Sequence, residues 1–81
     1  RDILEEAHLF GIEYGLEMAG QGFQLRDTLE AFIFFRRNVM ESSPAPSRRR
    51  IGILADRVLI GIAVGCERHR NEQELSAPVY L

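Results

Sequence analysis

The chain has no lysine and no tryptophan, a single cysteine and three prolines in 81 residues. Each scarcity excludes something. One cysteine, Cys66, rules out an internal disulfide and fits a reducing, cytoplasmic setting. No apolar run reaches the ~18 residues a membrane-spanning helix needs, and no signal peptide is present. All the basic residues are arginine, a bias we read as compositional and not functional. The net charge of -2 sets up no global field toward nucleic acid, which is therefore not the expected partner. Phosphate-binding loops, paired metal-ligating cysteines and nucleophile motifs are missing, so no catalytic, cofactor or metal residue is assigned and the expectation is a non-enzyme. A chain this short buries only about 60% of its unfolded surface, which makes a lone monomer marginal.

What is present is helical. Residues 20–40 hold a two-glycine break, Gly20 and Gly22, followed by the most aromatic stretch of the chain. At about 100° per residue, Leu25, Leu29, Phe32, Ile33, Phe35, Val39 and Met40 share one arc, and Arg26, Asp27, Glu30, Arg37, Asn38 and Glu41 the other. Two residues break the pattern. Arg36 lies in the apolar arc and Phe34 in the polar one.

Upstream, residues 2–19 read as a helix with Asp2 as N-cap and Glu5 and Glu6 in its first turn. Ile3, Ala7, Phe10, Tyr14 and Met18 form one stripe, Leu9, Ile12 and Leu16 a second group, and Glu6, Glu13 and Glu17 a narrow solvated strip. Gly11 and Gly15 each cost the helix roughly 1 kcal/mol against alanine, and a close backbone approach would explain both. Gly20 and Gly22 end this helix, and the short connection predicts an antiparallel hairpin.

Ser42-Ser43-Pro44-Ala45-Pro46-Ser47 reads as a linker. Ser47 is the expected N-cap of a third helix from about Arg50 to Leu75. The Arg48-Arg49-Arg50 run at its start opposes the helix dipole and reads as a solvated face, with contact to an acidic partner or nucleic acid as the sharper alternative. Ile51, Ala55, Val58, Ile62, Gly65 and His69 make a coiled-coil-like seam, Ile53, Ile60 and Val64 a second apolar group opposite it, and after Gly65 the pattern turns polar. The expected fold is all-α, an antiparallel helical hairpin plus a long third helix, with the bundle completed by dimerisation. Its parts are the hairpin at 1–42, a Pro/Ser linker at 43–49, the third helix and connector at 50–75, and an extended stub at 76–81 that could open a following domain.

The pattern-breakers carry the site expectations. Arg36 needs a carboxylate or a solvent route, because an unpaired buried charge costs several kcal/mol. Glu17 and Glu13 are the candidate partners in an ion pair, and an anionic ligand between the helices is the alternative. Phe34 forgoes about 1.5–3 kcal/mol of burial if exposed. Together with Leu9, Ile12, Leu16, Ile53, Ile60 and Val64 it argues for a second interface, most simply a homodimer, with further helices of a longer parent chain as the rival partner. His69 reads as a seam or partly exposed histidine, His8 as one at the edge of its apolar arc, and Cys66 as a small buried hydrophobe beside the seam.

Tyr14-Gly15-Leu16-Glu17, Gln21-Gly22-Phe23-Gln24-Leu25, Leu29-Glu30-Ala31-Phe32 and Phe35-Arg36-Arg37 together resemble the helical N-terminal sensor region of RsbR-type co-antagonist proteins of the bacterial stressosome. Similar regions are attached to some histidine kinases and transcription regulators. The likeness covers roughly residues 10 to 41, and Glu74-Leu75-Ser76-Ala77-Pro78-Val79 is similar to the segment that opens the STAS domain in such proteins. The resemblance implies a sensory or regulatory module that dimerises and signals through its last helix to a STAS- or kinase-type output domain. It transfers no ligand or phosphorylation site. A nucleic-acid- or partner-binding module of a transcription regulator and a small-ligand-binding helical domain are the alternative readings.

Overall fold

The structure, a computed structural model, describes residues 2–76. Of the expected stub at 76–81, Ser76 ends the third helix and 77–81 lie outside the described residues, as does the second half of the STAS-like segment, residues 77–79. Three helices follow one another: α1 (Ile3–Gly20), α2 (Leu25–Ser42) and α3 (Ala45–Ser76). The all-α hairpin with a long third helix is the observed architecture.

Asp2 caps α1, its Oδ1 accepting from the Glu5 amide at 2.8 Å. The helix stops in a Schellman-type turn. The Phe23 amide donates to Met18 O at 3.1 Å and the Gly22 amide to Ala19 O at 3.0 Å, with Gly22 at φ 92°. That conformation is the one glycine takes without steric cost. α2 starts on Gln24, which makes no side-chain cap bond. One turn on, the buried Thr28 donates its hydroxyl to Gln24 O at 3.1 Å.

The α2–α3 connection is shorter than the sequence suggests. α3 begins at Ala45, not near Arg50, so Pro46, Ser47 and all three arginines are helical. Proline is harmless in a first turn, where its missing N–H has no intrahelical partner to lose. Ser47 is inside the helix and is not its cap; its amide donates to Pro44 O at 2.9 Å.

α1 and α3 run parallel and meet through their glycines. A Cβ built on Gly11 would collide with Val58 O and lie 3.0 Å from the Gly61 Cα. One built on Gly65 would collide with Ile12 O and lie 2.9 Å from the Leu16 amide nitrogen. Gly11-x-x-x-Gly15 thus faces Gly61-x-x-x-Gly65, residue level for residue level. Val58, Ile62 and Cys66 form the buried centre, with Ala7, Tyr14, Ala19, Leu29 and Phe32 packed around it. α2 returns antiparallel across the same groove. The Cα atoms fill only 60 × 27 × 13 Å, a thin slab that leaves each helix with an open side.

Candidate functional site

Register places Arg36. Its Nη1 donates to Asp56 Oδ1 at 2.9 Å, joining α2 to α3. Arg36 reaches its partner by passing over Gly52, where a Cβ would stand 3.5 Å from Nη2. The interhelical ion pair expected of Arg36 exists, but its carboxylate is not Glu17 or Glu13. Gly11 is level with Gly61 and Gly15 with Gly65, so Asp56 is level with the sixth residue of the chain. Glu17 lies eleven residues further along α1, about 16 Å at 1.5 Å per residue, and is exposed. Asp56 was missed because nothing in one sequence gives the register between helices.

The expected interface residues divide into three groups. Ile12 is 6% exposed and belongs to the core, against the backbone of Gly61 and Gly65. It is corrected out of any free surface, since the glycines opposite let α3 cover it. Leu9 and Leu16 are half-buried and line a groove of about 600 Å³ that Arg68 of α3 also borders. On α3, Gly52 and Asp56 turn to α2, whereas Val58, Gly61, Ile62 and Gly65 turn to α1. Ile53, Ile60 and Val64 fall on the remaining third, on the same side of the slab as Leu9 and Leu16. Ile53 and Ile60 are exposed and Val64 is half-buried.

Phe34 stands apart from this face. It is two residues from both Phe32 and Arg36, which point inward, and is therefore turned away from the core, 68% exposed. Two aromatics of the apolar arcs are open as well, Phe10 at the edge of the Leu9–Leu16 groove and Phe35 on α2. Phe10, 57% exposed, stacks on Tyr14 with ring centroids 6.3 Å apart, and Phe35, 60% exposed, leans on Phe32 at 6.1 Å. Both lie on apolar arcs, but α1 and α2 do not close over them.

Cys66 is buried and its thiol donates to Gly15 O at 3.6 Å; burial pushes the thiol above its ordinary range. The Nδ1 atom of His8 is buried and has no hydrogen-bond partner among the described residues. His69 is half-buried and borders a groove of about 550 Å³ with Phe23, Leu25, Cys66 and Arg70. Arg48, Arg49 and Arg50 are exposed, and Arg48 donates to Ser43 O at 3.2 Å. Among the described residues no group of three His, Cys, Asp or Glu side chains could hold a metal ion, and no helix is long and apolar enough to cross a membrane.

Comparison with family models, with curated proteins and with solved structures gives no match to this chain.

Proposed function

We propose that the chain is a non-enzymatic, cytoplasmic sensory or regulatory module that completes its helical core against a second copy and passes a signal along α3 to an output domain of the STAS or kinase type. One observation carries the reading. Among the described residues five apolar side chains are buried, while ten large ones, from Leu25 at 41% to Leu75 at 87%, are exposed. A chain that leaves this many large apolar side chains exposed gains by association. The Tyr14–Arg37 resemblance supports the regulatory part of the reading.

A relay follows from the faces of α3. The same helix presents glycines to α1 and the Ile53–Ile60–Val64 stripe outward. A signal that shifts α1 against α3 therefore moves the outward stripe and the polar C-terminal half together. The test is sedimentation equilibrium of the 81-residue chain. A two-chain mass is expected, and a single-chain mass at every concentration overturns the reading.

A further inference from the structure

We propose that the second copy docks along α3, parallel and in register, with Ile53, Ile60 and Val64 as the apolar seam and Arg57 and Arg68 of each copy paired with Asp56 and Glu67 of the other. The proposal rests on the self-association above and adds which face carries it and in which direction.

The stripe repeats every eleven residues: Ile53 with Val64, Arg57 with Arg68, Ile60 with Asn71. An eleven-residue repeat is close to the natural period of an α-helix, so these positions hold one face over several turns without needing a left-handed supercoil. It is the most open third of α3: Ile53 is 44% and Ile60 51% exposed, Val64 is half-buried, and Ile53 borders a groove with Ile3 and Leu4 of α1.

From Asp56 onward the two borders of the stripe differ in charge; one heptad earlier Arg49 and Arg50 place an arginine on each. Arg57 and Arg68 lie on the border toward α1, where Arg68 meets the Leu9–Leu16 groove. Asp56 and Glu67 lie on the border toward α2, where Asp56 meets Arg36. Symmetry then chooses the direction. A two-fold axis along the helices exchanges the borders, so each basic edge meets an acidic one. A two-fold axis across the helices sets each border on itself, arginine over arginine. Because 56 and 57 are adjacent, as are 67 and 68, parallel in-register pairing puts each arginine within about 1.5 Å of its acid in height. Asp56 is 61% exposed and uses Oδ1 for Arg36, which leaves Oδ2 for the partner.

Ile53→Cys, Ile60→Cys and Asn71→Cys, made singly, test this, with the buried Cys66 left in place and the parent chain and Phe34→Cys as controls. Mild oxidation is expected to link two chains through each of the three seam positions and through neither control. In an antiparallel pair a seam cysteine links only near the crossing point, and links at both 53 and 71 are excluded. A charge swap gives a second readout. Glu67→Arg is expected to raise the dimer dissociation constant about tenfold or more, and adding Arg68→Glu to restore it. A two-chain mass without links at 53 and 71 overturns this docking while self-association stands; a single-chain mass at every concentration overturns both.

Discussion

Gly11 and Gly61 meet backbone against backbone, so closely that a methyl group built on Gly61 would stand 2.9 Å from the Gly11 Cα and collide with His8 O. Here the atom in the way is main chain, which cannot rotate aside. Gly11→Ala and Gly61→Ala are each expected to lower stability by about 2–3 kcal/mol, read from urea denaturation midpoints. Gly20 is the internal comparison. Nothing lies within 4 Å of its would-be Cβ and its φ is not positive, so Gly20→Ala is expected to gain about 0.5 kcal/mol. Equal shifts at Gly11 and Gly20 would contradict the close pairing of α1 and α3.

The Arg36–Asp56 pair joins a side chain 29% exposed to one 61% exposed, so water screens much of it. A double-mutant cycle with Arg36→Met and Asp56→Asn is expected to give a coupling of roughly 0.5–1 kcal/mol that shrinks as salt is added. A cycle between Arg36→Met and Glu17→Gln is expected to give none. Coupling to Glu17 larger than to Asp56 would place the α2–α3 register elsewhere.

Those two contacts also mark what the residues alone could reveal. The hairpin was legible because the Gly20–Gly22 break and the Pro44 stop bracket two amphipathic stripes. Half of the glycine contact was legible too. Gly11 and Gly15 signalled a close backbone approach, and Gly61-x-x-x-Gly65 repeats their spacing, but Gly61 sits inside an apolar run that reads as core. The start of α3 was misplaced because Pro46 reads as a breaker unless its place in a first turn is already known. A helical wheel gives directions on one helix and not which arcs of two helices adjoin. Hence Asp56 is not evident beside Arg36, Ile12 reads as part of a free surface that the glycines of α3 in fact cover, and Phe10 and Phe35 lie on apolar arcs yet are exposed.

Cys66 lies in the core with its thiol pointed at Gly15 O. Burial disfavours the thiolate, so the folded thiol holds its proton to a higher pH than the unfolded one. Between those two values the unfolded chain has lost a proton that the folded chain keeps. This contribution to stability is therefore whole below the ordinary thiol range and is lost as the pH climbs through it toward the raised folded value. Reaction with an aromatic disulfide reagent near neutral pH is expected to be slow in buffer and fast in denaturant. Rapid reaction in buffer would mean that the α1–α3 seam opens readily around Gly15.

Ile60 and Phe34 are both exposed, at 51% and 68%, and lie on different helices turned in different directions. Neither packs inside the folded chain, so a charge at either position is expected to leave the helix content by circular dichroism unchanged and to alter monomer stability by less than about 0.5 kcal/mol. Their effects on assembly part. Ile60 lies in the middle of the uncovered stripe of α3, where an aspartate would strand a charge against the apolar seam of a second copy, at a cost of several kcal/mol for an unpaired ion. Phe34 stands on the outer side of α2, away from that stripe, where an aspartate meets water. Ile60→Asp is therefore expected to sediment as a single chain at concentrations where the parent chain and Phe34→Asp sediment as two. The reverse pattern, with Phe34→Asp monomeric and Ile60→Asp dimeric, would move the contact between copies from α3 to the aromatic side of α2.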